Sequence, residues 1–209
     1  GKSTLLRLLS GELTPTGGAV RLGGRPLGAW PAAELARRRA VLSQQHSLAL
    51  AFTVRELVLM GRYPHFGAAP TAYDYAVADA ALSTVNLTEL AGRAYPTLSG
   101  GEQQRAQLAR VLAQVWEADN GWLLLDEPLT GLDLPHQHHT LDVARALTAR
   151  GFGVVAVLHD LNLAAQYADQ VLLLRQGQPV AAGPPAQVLT CDTIHRGFGL
   201  EVELLAHPT

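Results

Sequence analysis

Cysteine is all but missing: Cys191 is the single one in 209 residues. An intrachain disulfide is therefore excluded, which fits a reducing compartment. Cys191 itself reads as a small structural residue or an idle thiol. Charge is also sparse, with 16% charged residues against 48% apolar ones, so a sizeable buried core is expected. The net charge of −2 gives no reason to expect nucleic acid or an anionic membrane surface as a partner. No apolar run approaches the roughly 20 residues that span a bilayer. No secretory signal peptide, repeat or low-complexity tract is visible.

What is present is an alternation of helical and strand patterns. "KSTLLRLLS" (2–10) has helical spacing and stops at Gly11; "GGAVRLGG" (17–24) reads as a short strand between glycines. "AAELARRRA" predicts a short helix leading into the strand "AVLSQ" (40–44). Residues 53–92 carry only helical patterns, in "TVRELVLMGR", "AYDYAVADAALSTV" and "TELAGR". After Pro96 the alternation resumes: helix "GEQQRAQLARVLAQVW", strand "WLLLD" (122–126), helix "HHTLDVARALTAR", strand "GVVAVLH" (153–159), helix "LNLAAQYAD" and hairpin "QVLLLRQGQPVAAG" (170–183). The strands "WLLL" and "VVAVL" are continuously apolar, which favours a parallel sheet buried on both faces by helices. The length suits one α/β domain with a small helical subdomain.

Three stretches carry chemistry. "GKST" at residues 1–4 matches the close of the phosphate-loop pattern G-x-x-x-x-G-K-[ST]. In such a loop Lys2 reaches the β- and γ-phosphates, Ser3 binds Mg²⁺ and Thr4 adds a phosphate contact. The earlier glycine of the pattern and the four residues after it are not in the sequence, and alone the remnant fits a capped helix with a surface lysine equally well. "WLLLDEP" sets Asp126 and Glu127 at the carboxyl end of a buried strand, where open α/β sheets place ligands. An acid that holds Mg²⁺ followed by one that orients or deprotonates a water is what phosphoryl transfer requires. "LSGGEQQR" (98–105) pairs Ser99 with Glu102 as a capping box, and Gly100 and Gly101 leave the first-turn amides open to an anion.

Together these stretches resemble the nucleotide-binding subunits of ABC transporters. Gln44 in "VLSQ", Asp133 in "LTGLD" and His159 in "VVAVLHD" complete the resemblance in order, over essentially all of the chain. It implies a P-loop NTPase core of parallel sheet and flanking helices. Residues 1–209 would form one nucleotide-binding domain, with a helical subdomain at 45–97 inserted between Gln44 and the Ser99 motif. It implies ATP and Mg²⁺ as cofactors. Gly1, Lys2, Ser3 and Thr4 would hold phosphates, and Ser3, Gln44 and Asp126 would serve the metal. Glu127 would be the catalytic base, and His159 would touch the γ-phosphate and the attacking water. Gln44 would sense that water and connect to a membrane partner. Ser99, Gly100 and Gly101 would contact ATP held by a second copy, in a head-to-tail dimer with Asp133 at the contact. Two departures stand out: the aromatic residue that stacks on adenine lies upstream of residue 1, and "LTGLD" replaces the commoner Thr-Ser-Ala-Leu-Asp. A chain limited to residues 1–209 is expected to be inactive.

Within the family, "FTVRELVLMGRYPHFG" (52–67) resembles importers of iron-siderophores, haem and cobalamin, and the stretches around 98–128 and 153–174 are most similar to haem import ATPases. Ferric siderophore and cobalamin are the alternative cargoes. The resemblance implies a permease dimer as partner, a periplasmic haem-binding protein acting indirectly, no nucleic acid, and a peripheral position on the cytoplasmic face of a bacterial inner membrane. An ATPase of repair or translation would carry two cassettes and a more basic surface; a small-molecule kinase would lack "LSGGEQQR" and His159. The histidines of "PHQHHT", His136, His138 and His139, read as a solvated helix end rather than a metal or haem site.

Overall fold

A computed structural model describes residues 1–43 and 52–205; Gln44 lies outside the described residues, as do Leu48 and Leu50 of the stretch 45–66, whose large apolar side chains read either as a small core of the helical insertion or as a groove for a short helix of the permease. The elements run α1 (Lys2–Ser10), β1 (Arg21–Leu22), β2 (Arg25–Pro26), α2 (Ala32–Arg38), β3 (Arg39–Leu42), α3 (Val54–Leu59) and α4 (Ala72–Thr84). They continue with α5 (Gly100–Gln114), β4 (Trp122–Asp126), α6 (Leu134–Thr148), β5 (Gly153–Val157), α7 (Leu161–Tyr167), β6 (Val171–Arg175), β7 (Gln178–Gly183), α8 (Pro185–Val188) and α9 (Cys191–Phe198). Contacts divide the chain into two compact units, Gly1–Leu5 with Leu158–Thr209, and Leu6–Val157.

The larger unit is built on a parallel sheet of order β3-β4-β5, with Leu42 opposite Leu125 and Asp126 opposite Val157. Strand side chains alternate between faces, so an unbroken apolar strand must be covered twice. On one face Leu42, Leu123 and Leu125 join α5 and the helices after residue 53 in a large buried cluster. On the other, Leu124 and Val157 pack with Leu6 of α1. The helical stretch between β3 and α5 shares the first cluster through Val54, Leu57, Ala78 and Leu82. Its ends are tied by an isolated bridge between Thr53 and Ala94, with the Tyr95 amide donating to the Phe52 carbonyl at 2.8 Å. Capping boxes start three of these helices: Thr53 with Glu56, Thr71 with Asp74, and Ser99 with Glu102.

The smaller unit holds the antiparallel β6–β7 hairpin with α7, α8 and α9. Three expectations need correction. The strand expected over 17–24 is instead a hairpin of two-residue strands turning at Gly23 and Gly24, both at positive φ. "TELAGR" forms only a single 3₁₀ turn, Thr88–Leu90. The helix expected from His138 begins four residues earlier, because Asp133 caps it and Pro135 fits its first turn.

Candidate nucleotide site

Asp126 ends β4 at 8% exposure, buried like the leucines before it. The chain then turns abruptly: Glu127 sits at φ +52°, in the left-handed region that residues other than glycine rarely occupy. Such a conformation costs about 1–3 kcal/mol and persists where the surroundings enforce it. Here Pro128 follows, buried, and the Gln104 side-chain amide of α5 donates to the Glu127 carbonyl at 3.5 Å. The turn lifts the half-buried Glu127 out of line with β4, so the two neighbouring acids face different surroundings.

The start of α5 is packed against the same loop. Ser99 is its N-cap: Glu102 N–H donates to Ser99 Oγ at 3.3 Å, and Ser99 N–H to Glu102 Oε2 at 2.7 Å. That backbone bond holds the Glu102 carboxyl below its usual range, helped by the Ser99 side chain. The two glycines differ in their surroundings. A Cβ on Gly100 would meet nothing within 4 Å, so its backbone is open to a ligand. A Cβ on Gly101 would lie 2.9 Å from the Gly131 carbonyl oxygen, so Gly101 lets helix and loop meet. Gly131 and Gln104 went unread in the sequence; the glycine in "LTGLD" was the available signal for the first, since its φ of +77° suits glycine. Asp133 closes the loop by capping α6. Its Oδ1 accepts from the His136 backbone at 3.1 Å and from His136 Nδ1 at 2.5 Å, which holds the Asp133 carboxyl low.

In the smaller unit, α1 begins at Lys2, whose ammonium reaches His159 Nδ1 at 3.5 Å. The lysine donates, so the imidazole proton then sits on Nε2. Both side chains are exposed. Asp160, the next residue, caps α7 through the amides of Asn162 and Leu163 and fixes the backbone beside the histidine. The structure thus brings Lys2 to His159 in one unit, and the Ser99 turn to the Glu127–Asp133 loop in the other. Gln44 lies outside the described residues.

Among the described residues no group of three or more His, Cys, Asp or Glu could hold a metal ion. The Ser3 hydroxyl in the smaller unit and the Asp126 carboxylate in the larger are each an oxygen donor of the kind Mg²⁺ takes beside waters and phosphate oxygens. The histidines of α6 are otherwise employed. His136 pairs with Asp133, and His139 Nε2 donates to the Thr84 carbonyl at 2.8 Å, covering the C-terminus of α4.

The sequence model of the family described as ABC transporter matches residues 1–130. This chain belongs to that family. A hemin import ATP-binding protein HmuV of Gloeobacter violaceus is 54% identical, the match covering all of this chain and 77% of that protein. The protein of the same name from Deinococcus radiodurans is 52% identical over all of this chain and 79% of its own length. Among solved structures, a metal-chelate type ABC transporter in an inward-facing conformation is 32% identical, with a TM-score of 0.79 over 96% of this chain and 74% of that one. An ATP-binding cassette of an ABC transporter at 23% identity gives a TM-score of 0.78 over 93% and 82%, a likeness of fold. The P-loop NTPase core with its parallel sheet and flanking helices is therefore the fold of this family member.

Proposed function

We propose that this chain is the ATP-hydrolysing subunit of an importer that moves haem inward through a membrane permease. The observation that carries the hydrolytic half is Glu127 itself, an acid turned out of β4 by a positive φ one residue past the buried Asp126. In this reading Glu127 takes a proton from the water whose oxygen attacks the γ-phosphorus. The bond from phosphorus to the β–γ bridging oxygen breaks, giving ADP and inorganic phosphate. Lys2 and His159 offer two donors to the γ-phosphate region, and the open amides at Gly100 offer a second anion site. That second site would serve ATP held by another copy in a head-to-tail dimer. Bound Mg²⁺ would neutralise phosphate charge, with Ser3 and Asp126 as its protein oxygens and Gln44 near it. The stretch 45–97 would form the helical subdomain.

The cargo reading rests on identity along the whole chain with proteins named for hemin import. Ferric siderophore and cobalamin are the alternatives. The test reconstitutes the full-length subunit with its permease in liposomes and adds the binding protein loaded with each cargo in turn. Haem is expected to raise ATP turnover several-fold over the basal rate, with the other two leaving it basal. Stimulation by either of the others and not by haem overturns the cargo assignment.

No helix of the described residues is long and apolar enough to cross a membrane. In the importer reading the permease holds the subunit at the cytoplasmic face of the inner membrane. Phe52, Tyr63 and Phe66 support a docking surface. None belongs to the large buried cluster; Tyr63 is 63% exposed and meets Phe66 edge-on at 5.7 Å. An apolar groove is a common receiver for an amphipathic helix. Phe52→Ser or Phe66→Ser is expected to weaken co-purification with the permease while the free subunit keeps its basal ATPase. Unfolding, or loss of the basal rate, assigns these rings to the core instead.

A further inference from the structure

Arg62 is the largest fully buried side chain among the described residues, at 1% exposure. A buried guanidinium is costly unless every donor is met. Arg62 Nε donates to Asp74 Oδ1 at 3.0 Å, Nη1 to the Ala113 carbonyl at 2.8 Å and to Glu117 Oε2 at 2.7 Å, and Nη2 to Glu117 Oε1 at 2.6 Å. Burial works against its charge, but the fork to Glu117 and the bond to Asp74 outweigh it and hold its pKa above the ordinary value. One side chain thus binds α4 through Asp74, the C-terminal end of α5 through Ala113, and the turn just after α5 through Glu117.

The residues on either side of Arg62 reinforce the grip. A Cβ on Gly61 would stand 2.1 Å from the Arg110 carbonyl, so the chain there lies directly on α5. His65 Nε2 meets the Gln114 carbonyl at 2.7 Å, and Arg37 of α2 donates to the Pro64 carbonyl at 2.6 Å. Residues 61–65 are therefore pinned from three helices, while Tyr63 in their midst points outward. Apolar residues of similar volume could fill this space at no loss of stability. What a fork with fixed partners adds is a single geometry.

We infer that Arg62 is a positioning residue that locks segment 61–65 to the C-terminal end of α5, so that a push delivered at Tyr63 moves Ser99, Gly100 and Gly101 at the other end of that helix. The helix has 15 residues and spans about 22 Å. A regular helix held at one end by four hydrogen bonds, to Ala113, to Gln114 and twice to Glu117 just beyond it, transmits displacement as a body. The partner that pushes is the permease of the proposed function, and on that reading the direction of coupling rests.

The experiment has two arms. In the first, Arg62→Lys, which keeps the charge and loses the fork, and Glu117→Gln, a milder change at a half-exposed partner, are compared with the unaltered full-length subunit. Each is measured alone and with the permease and haem-loaded binding protein. Folding, ATP affinity and basal turnover are expected to hold within about 2-fold, while permease-dependent stimulation falls by about 10-fold in Arg62→Lys, the upper range for a coupling position. Glu117→Gln should fall less, in the same direction. If stimulation is retained, or falls only in proportion to the basal rate, the lock has no coupling role.

The second arm needs neither permease nor cargo. Spin labels at Tyr63→Cys and Thr97→Cys, in a Cys191→Ser background, report the distance from the pinned segment to the approach of α5. A narrow distribution is expected with Arg62 and a broad one with Arg62→Lys or Glu117→Gln. Equal widths overturn the lock itself. A narrow-to-broad change in this arm, with no haem stimulation of the unaltered subunit, leaves the lock standing and removes the importer reading.

Discussion

Glu127→Gln in the full-length protein is expected to slow ATP hydrolysis by about 10²- to 10⁴-fold, the usual loss on removing a general base, with ATP binding unchanged. The amide keeps the volume of the carboxylate and the left-handed turn, so φ +52° should survive the change. What it loses is the ability to take a proton from water. The measurement is single-turnover hydrolysis beside nucleotide affinity. The nucleotide-bound dimer should also accumulate, because the step that dissolves it is blocked. Turnover within about 2-fold of the unaltered protein would place the base elsewhere.

Gly101→Ala is expected to reduce turnover by about 10²-fold, through position rather than chemistry. The added methyl would sit 2.9 Å from the Gly131 carbonyl oxygen and 3.4 Å from Leu132 Cδ2. The carbonyl is backbone held by the loop and cannot swing aside as the leucine tip can, so the start of α5 must move, carrying Ser99 and the Gly100 amide with it. If that turn serves ATP on a second copy, the variant still binds its own nucleotide. It should also complement Lys2→Ala when the two are mixed, since the mixed dimer keeps one site with an intact lysine and an intact glycine turn. Mixing is expected to recover turnover that neither variant has alone. No recovery, with mixed dimers demonstrably formed, contradicts the head-to-tail arrangement.

Local rules were enough for much of this site. α1 and β4 coincide with the stretches read for them, because a helix ending at glycine and an unbroken apolar strand have few alternatives. The Ser99–Glu102 capping box was likewise legible, being contained in four residues. Long-range fit was not. That Gly101 rests on Gly131, thirty positions away, depends on how the loop after β4 folds back. Arg62 carries no local signal of its burial, because its partners lie 12 and 55 positions on. The positive φ of Glu127 has no composition signal, since glycine or asparagine normally marks such a turn. α9 was missed because Gly197 and Gly199 sit at its end; there Gly197 makes room for Leu173 of β6, and Gly199 terminates the helix at φ +74°.

Haem accumulation inside proteoliposomes measures the central claim most directly. The full-length subunit and its permease are reconstituted with ATP and Mg²⁺ trapped in the lumen, haem-loaded binding protein is added outside, and luminal haem is followed with time. Haem should accumulate with the unaltered subunit and stop with Glu127→Gln. Accumulation that continues unchanged with Glu127→Gln, or ATP hydrolysis that brings in no haem, would contradict the account.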